Sequence, residues 1–225
     1  MTSADHEPDA GRPIDHFDVA QLVEPYMPAG QGISNFVLFE YRFAALVWLH
    51  RTVATALDAE VGRLLTIRRS GVHRIPGWAG ESDMTLDDSM GLLQYDAAPI
   101  SAGAIVAGCC SALESLLTYL PSAGQDVARG GLLRKVRALV ELLPDRADAD
   151  LVIDNARWLA ERRNSFAHRL LDEGGLWDKA PGATSFTFDD ELVEESFARL
   201  GEIAGILAAR YEAYSSGADG RDESP

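Results

Sequence analysis

The chain has 225 residues, of which 47% are hydrophobic and 24% are charged, and its formal net charge is −15. This length fits one large domain or a domain with tails, and the hydrophobic content is sufficient for a sizeable core. The net charge argues against a protein whose whole surface binds nucleic acid without selectivity. Because the acidic N-terminus lacks an apolar segment, we expect no secretory signal and a cytoplasmic protein.

The composition along the chain predicts one domain flanked by tails. Residues 1–18 are polar and acidic, with proline and glycine, and we expect them to form a disordered tail. Residues 19–215 carry the apolar patterns of a helical domain, interrupted at 70–99 by a segment rich in glycine, proline and acids. We expect this segment to be a loop-rich insert, and residues 216–225 to be a second tail.

The first half of the domain predicts a short helix near residues 19–29 and then two long ones. From Phe36, apolar residues recur at three- and four-residue steps, which indicates an amphipathic helix of roughly thirty residues that ends at Gly71. Pro99 opens the next helix, which is expected to reach Leu120. This helix should be central, because it is apolar on nearly all sides.

The second half predicts three more helices, near residues 132–143, 145–170 and 189–214. Capping-box spacing from Thr187 to Asp190 marks the start of the last one. Strand patterns are few, so the expected fold class is all-α, an up-and-down bundle of four to five long helices around one core.

Neither the cysteines nor the clustered acids have the spacing of a metal site. Cys109 and Cys110 are adjacent in an apolar helix pattern, where neighbouring side chains point apart, so we expect both to be reduced core residues. The aspartates in residues 145–154 suit the first turn of a helix, where the helix dipole favours acids. We therefore expect no metal and no cofactor.

Positive charge is concentrated in three segments, residues 62–74, 129–137 and 157–169, whose net charges are +4, +4 and +3. These segments could form a basic groove on an acidic protein. They could equally be ordinary helix ends, where the dipole favours arginine and lysine. Both interpretations stay open at the level of sequence.

The third basic segment contains a motif with chemical content, ERRNSFAHRL at residues 161–170. Four residues separate Arg163 from His168, and a bare pattern of this kind is expected about once by chance in a chain of this composition. Arg68 and His73 have the same spacing, but the first long helix is expected to end between them. The motif near residue 163 therefore has the more informative context.

The helical register separates the two ends of this motif. Residues five apart on a helix differ by about 140° around the axis, so Arg163 and His168 do not stack on one face. Asn164 and His168, four apart, do share a face, and Asn164 can orient the imidazole while Arg163 reaches round from the flank. A histidine that titrates near neutral pH and an arginine that stays charged suit acid–base chemistry at a phosphate.

With RNSFAH late in the chain, SALESLL in the central helix and a predicted helical bundle, the sequence resembles the HEPN superfamily over residues 34–215. Many members are metal-independent endoribonucleases of toxin–antitoxin, antiviral and CRISPR-associated systems. Their arginine–histidine motifs meet in pairs, in a dimer or in tandem domains, to form one composite site. The resemblance therefore implies an endoribonuclease of a bacterial stress or phage-defence system.

The resemblance also implies which residues and partners would take part. The catalytic residues would be Arg163, Asn164 and His168, with Glu114 and Arg162 in supporting positions. The substrate would be RNA, with tRNA as one candidate, and the partners would be a second copy of the chain and an antitoxin or defence-system protein. DNA and membranes are not expected as partners. One arginine and one histidine per chain are too few for a full acid–base pair, whereas a homodimer supplies two of each.

The same residues can also be explained without catalysis. His168 near a helix C-terminus is favoured by the dipole alone, and Glu114 in an apolar helix can simply pair with Arg163 or another arginine. Leu170 stands where HEPN toxins paired with nucleotidyltransferases often carry a tyrosine, which argues against that partner. The alternative function is therefore a non-catalytic helical module that binds a protein or nucleotide partner through the same face.

Overall fold

The computed structural model describes residues 19–27, 34–120, 130–142, 148–171 and 187–218. Within these ranges the chain is mostly helical and contains no strand, which confirms the all-α fold class. The expected tail at residues 1–18 lies outside the described residues. So does most of the expected tail at 216–225, although helix continues to Ala218.

Seven α-helices are present in the described part of the chain. They are α1 (Val19–Val23), α2 (Ser34–Ser70), α3 (Ala79–Gly91), α4 (Ala98–Tyr119), α5 (Leu132–Leu142), α6 (Ala149–Leu171) and α7 (Asp190–Ala218). The predicted helices are all found, and α2 is the longest, with 37 residues. It ends where expected, because Gly71 follows it with a φ of 69°, a conformation that favours glycine.

Helix α4 is central, as its apolar composition predicts. It packs against α2, α5, α6 and α7, and its buried residues include Ile105, Val106, Leu113 and Leu117. The continuous helical run from residue 79 to 119 is long and apolar enough to cross a membrane by composition alone. However, 56% of its most apolar window is buried inside the protein, which is typical of the core helix of a soluble protein.

The expectation of a loop-rich insert at 70–99 is wrong, because most of this segment is helical. Helix α3 and a π-helical turn, Leu92–Ala97, lead directly into α4. Between residues 79 and 97, Leu86 alone is buried. A helix with so little contact with the core has no need of a regular apolar side, which is why the sequence shows no amphipathic period here. Ion pairs with the end of α2 and the turn after it stabilise α3 instead, including Arg68 with Asp87 at 2.6 Å. Such tertiary contacts override weak local propensity.

Pro99 lies within this helical run, at the first turn of α4, and does not begin a separate helix. A proline lacks an N–H and its ring clashes with the carbonyl four residues earlier. The π-helical turn directly before it changes the hydrogen-bond pattern, since the N–H of Ala98 bonds to the carbonyl of Leu93, five residues back. The widened turn accommodates the proline without ending the helix.

Two glycines let the neighbouring helices approach α4 closely. A Cβ at Gly103 would lie 2.1 Å from the ring of Phe166, so α6 packs on α4 with no space for a side chain. A Cβ at Gly108 would lie 2.6 Å from Leu46 of α2. These contacts fix α2 and α6 on two sides of α4.

The start of α7 differs from the predicted capping box. Oδ1 of Asp189 accepts a hydrogen bond from the backbone N–H of Leu192 at 2.9 Å, so Asp189 is the capping residue. The predicted pair, Thr187 with Asp190, is wrong. A short carboxylate immediately before the helix reaches the free backbone amides of the first turn, which explains the choice of Asp189.

Candidate functional site: the Arg163–Glu114 cluster

Arg163 lies on the side of α6 that faces α4. Its Nη1 donates to Oε1 of Glu114 at 2.7 Å, and the two side chains are 30% and 28% exposed. The helical register explains this position, because Val152, Ala156 and Leu159 lie on the same side of α6 and are buried. The pairing that the sequence allowed between Glu114 and an arginine is thus confirmed, with Arg163 as the partner.

The antiparallel arrangement of α4 and α6 brings this ion pair together. Gly103 opposes Phe166, and Sγ of Cys110 lies 3.4 Å from the carbonyl oxygen of Leu159. Rising residue numbers in α4 therefore meet falling numbers in α6. Helical side chains tilt toward the N-terminus of their own helix, so the two members of the pair lean toward each other.

The carboxylate of Glu114 also holds the start of α5. The same Oε1 accepts a hydrogen bond from the backbone N–H of Leu132 at 3.1 Å, at a helix N-terminus where the dipole favours an anion. Farther along α5, Nζ of Lys135 donates to Oγ1 of Thr118 at 2.8 Å. These two contacts fix α5 against the end of α4, beside Arg163.

Asn164 lies next to Arg163 and interacts with it. Oδ1 of Asn164 is 3.4 Å from Nε and 3.3 Å from Nη2 of Arg163, and the Asn164 side chain is exposed. The guanidinium of Arg163 is therefore held between Glu114 on α4 and Asn164 on its own helix. Two of the three predicted catalytic residues are thus adjacent, together with the supporting Glu114.

Arg162 lies on a different side of α6 and is not part of this cluster. Its guanidinium stacks 3.5 Å above the ring of Trp158 and donates to the Trp158 carbonyl at 3.1 Å. The guanidinium of Arg199, on α7, lies 4.5 Å from the same ring. Burial lowers the pKa of Arg162. These contacts favour a role for Arg162 in packing α6 against α7.

The backbone of His168 belongs to α6, four residues after Asn164, so the register expected for the two residues is present. The side chains of His168 and of its neighbour Arg169 lie outside the described residues. The position of the imidazole relative to Arg163 and Asn164 therefore stays a prediction.

The two cysteines are buried and free, as expected for reduced core residues. Burial raises the pKa of Cys110 to about 12, while nearby Arg163 partly opposes the shift and Glu114 adds to it. Burial also raises the pKa of Cys109. Neither thiol is therefore a nucleophile at neutral pH.

Ion pairs occupy much of the first basic segment, residues 62–74. Nε of Arg74 lies 2.9 Å from Oδ1 of Asp83, and Nε2 of His73 lies 2.8 Å from the same oxygen. Hydrogen bonds from Arg74 and His73 lower the pKa of Asp83 to about 2. These contacts, with the pair between Arg68 and α3, favour the helix-end interpretation for this segment.

The second basic segment presents exposed positive charge closer to the cluster. Arg134 and Arg137 on α5 are exposed, and α5 begins at the carboxylate of Glu114. Arg129, the first cation of this segment, lies outside the described residues. Exposed cations on the helix beside Arg163 are compatible with a local groove for an anion on an otherwise acidic protein.

Among the described residues, no group of three or more histidines, cysteines, aspartates and glutamates could hold a metal ion. Two of the aspartates near the start of α6 instead bind arginines. Asp148 lies 3.2 Å from Arg210, and Asp154 lies 2.6 Å from Arg157. The described side chains of the cluster are those of an arginine, a carboxylate and an amide.

Sequence reasoning missed two features of this region. The backbone N–H of Leu132 as a partner of Glu114 has no sequence signal, because it depends on where α5 begins in space. The stacking of Arg162 on the Trp158 ring did have a sequence signal, since the two residues are four apart and such pairs are neighbours on a helix. Comparisons of the chain with protein-family models, curated proteins and solved structures found no significant match.

Proposed function

We propose that this protein is a metal-independent endoribonuclease of the HEPN type, with an HEPN-like helical bundle and a composite arginine–histidine site at a homodimer interface. The observation that carries the proposal is the placement of Arg163. Its guanidinium is oriented by Glu114 at 2.7 Å and by Asn164, in the helix that also contains His168. The cluster supplies a fixed cation, and the proposal adds the imidazole of His168 as the group that exchanges protons.

RNA cleavage without a metal needs an acid and a base at one phosphate. In the proposed reaction His168 removes the proton of a ribose 2′-hydroxyl, and the 2′-oxygen forms a bond to the adjacent phosphorus. The bond from phosphorus to the 5′-oxygen breaks, and His168 of the partner subunit donates the proton to that oxygen. The products are a 2′,3′-cyclic phosphate and a 5′-hydroxyl end.

Arg163 would stabilise the charge that develops on the phosphate oxygens. A guanidinium stays protonated and offers a planar set of donors that matches two phosphate oxygens. Glu114 would act as a positioning residue, because it touches Arg163 and the start of α5 rather than the reacting atoms. Asn164 shares the His168 side of α6 by register, and would orient the imidazole.

The proposed setting is the cytoplasm of a bacterium, in a stress, toxin–antitoxin or phage-defence system. A net charge of −15 favours selective cleavage of a structured RNA, such as tRNA, over non-specific coating of RNA. Regulation by an antitoxin or another defence-system protein is part of the proposal.

Cleavage of total cellular RNA in EDTA tests the proposal. Wild-type protein is expected to cut RNA and to leave 2′,3′-cyclic phosphate ends, which block ligation at the 3′ side until acid opens the ring and a phosphatase removes the resulting monophosphate. His168→Ala and Arg163→Ala are expected to lose cleavage. Arg163→Lys keeps the charge and removes the planar fork, so it should retain only part of the activity.

The chain offers a matched control in its second arginine–histidine pair. Arg68→Ala and His73→Ala change the same residue types at the same spacing, within ion pairs to α3. Both variants should cut RNA like the wild type. Equal loss in the two sets of variants, or cleavage that EDTA abolishes, would contradict the proposal.

The alternative, a non-catalytic module that binds a protein or nucleotide, has one observation in its favour. Glu114 neutralises Arg163 across the interface between α4 and α6, and such a pair can be purely structural. If folded wild-type protein leaves RNA intact over a range of substrates, including purified tRNA, the alternative becomes the better description.

A further inference from the structure

The outer side of α2 exposes a continuous set of uncharged residues, here named the outer stripe. Its members are Val37, Leu38, Tyr41, Ala45, Trp48 and Leu49. They recur at three- and four-residue steps, so they share one side of the helix. The opposite side of α2, which includes Phe36, Phe43 and Val47, is buried in the core. Helix α2 therefore has two apolar sides, of which the described chain covers one.

The outer stripe borders the surface that contains the proposed site. On α4, the exposed residues Ala104 and Ser111 lie, by helical register, between the contact with α2 at Gly108 and the contact with α6 at Gly103. The outward sides of α2, α4 and α6 therefore adjoin. Asn164 is exposed on the α6 part of this surface.

The area of the outer stripe matches what pairing requires. Tyr41 is 59% exposed, Leu49 is 43% exposed and Trp48 is 39% exposed. Given aromatic side-chain areas of 150–250 Å², the stripe offers roughly 400 Å² of apolar surface per chain. Two copies with their polar rim would bury about 1,200 Å², the lower end of the range for stable interfaces.

The distribution of charge favours a second copy of the chain as the occupant. The chain carries −15, so two copies repel each other unless they meet through a neutral region. Helices α2 and α4 together contain five arginines and four acids, a net charge of +1. Of those acids, Glu40 is buried and Glu114 is paired with Arg163, so the outward side presents little negative charge.

We infer that a second copy of this chain docks on the outer stripe of α2 and the adjoining outward side of α4. The inference rests on the proposed homodimer and names the surface that would hold it together. Apolar burial along α2 would supply the affinity, and the adjoining side of α4 would extend the interface toward α6, where the two copies of the motif would meet.

Mass measurement of the full chain in solution tests this surface, by light scattering after gel filtration at several concentrations. Wild-type protein should have twice the chain mass of 24.4 kDa. Tyr41→Asp and Leu49→Asp should each raise the dimer dissociation constant at least about 30-fold, because each places a charge at the centre of an apolar contact. Both positions are exposed, and circular dichroism would verify that the variants stay folded.

Tyr95→Asp is the matched control, because Tyr95 is 77% exposed on the π-helical turn, away from the stripe. It should remain dimeric. A monomeric wild type, a dimer that both stripe substitutions leave intact, or equal disruption by Tyr95→Asp would each overturn the inference. Because the mass measurement uses no RNA, the two proposals can fail separately: a dimer that cuts RNA but that both stripe substitutions leave intact would overturn this surface alone. A dimer that does not cut RNA would overturn the nuclease alone.

Discussion

The two arginine–histidine pairs of this chain share a spacing and differ in their surroundings. Arg68 and His73 stand on either side of the end of α2, where Gly71 turns the chain, and each binds a carboxylate of α3. Arg163 and His168 lie within one helix, and Arg163 reaches across to Glu114 on the central helix. The first pair therefore holds α3 against the end of α2 and the turn that follows it.

The difference teaches that spacing alone carries little chemical information. A carboxylate that pairs with two cations on a surface helix is a common way to attach that helix. A cation at the edge of a core, oriented by two polar neighbours, is placed with more precision because its geometry depends on the packing of three helices. The variants below test whether this structural difference is also a functional one.

The largest effect is expected for RNA cleavage. His168→Ala should reduce the cleavage rate at least about 100-fold, because it removes the proposed acid–base group. His73→Ala should leave the rate unchanged, since His73 serves to bind Asp83. Single-turnover cleavage of a defined RNA in EDTA measures both. Similar rates for the two variants would remove the functional distinction between the pairs.

Substitution of one glycine near each pair should affect stability unequally. Gly103→Ala places a methyl group against the ring of Phe166, within the motif, and should cost about 3 kcal/mol through overpacking. At Gly71 an added methyl group meets open space, so Gly71→Ala should cost only the strain of a positive φ, about 1 kcal/mol. Urea unfolding monitored by circular dichroism gives both values. A larger cost at Gly71 would show that α4 and α6 separate more easily than their contact indicates.

Replacing the arginine of each pair should lower the free energy of unfolding by less than replacing Gly103 does. Arg163→Ala leaves a partly buried carboxylate without its cation and should lower the free energy of unfolding by about 1–2 kcal/mol, after allowance for solvent screening. Arg68→Ala removes an exposed pair and should cost at most about 0.5 kcal/mol. In a double-mutant cycle, Glu114→Gln should cancel most of the Arg163→Ala effect; additive effects would argue that the pair contributes little.

The smallest expected effect is the pH dependence of the stability that Asp83 contributes through its ion pairs with His73 and Arg74. The pKa of Asp83 is lowered to about 2, so its ionised form is favoured in the folded state. The stabilisation is therefore present above pH about 4 and is lost as pH falls toward 2. Asp83→Asn should lower the thermal midpoint slightly at pH 6, and the difference from wild type should disappear near pH 2. A constant difference across this range would assign the effect to packing rather than charge.

The helices followed from apolar periodicity, and the exceptions have local causes. The sequence of α3 predicts loop because it is rich in acids and glycine, whereas ion pairs with the end of α2 and the turn after it stabilise a helix there. The pairing of Glu114 with an arginine could be anticipated, since a carboxylate in an apolar helix needs a partner. Adjacency to Arg163 does not decide a residue's place, because Asn164 contacts Arg163 whereas Arg162 stacks on Trp158.

The sequence by itself determined the all-α fold class, the central position of α4, the burial of both cysteines and the spacing of Asn164 and His168 on one helix. Each of these depends on periodicity or composition, which are local properties of the chain. Only the tertiary structure decided that Arg163 pairs with Glu114, that Leu132 begins α5 at the same carboxylate, and that one apolar side of α2 is exposed in the described part of the chain. These depend on which helices pack together and at what level, and residues far apart in sequence fix that arrangement through their shapes.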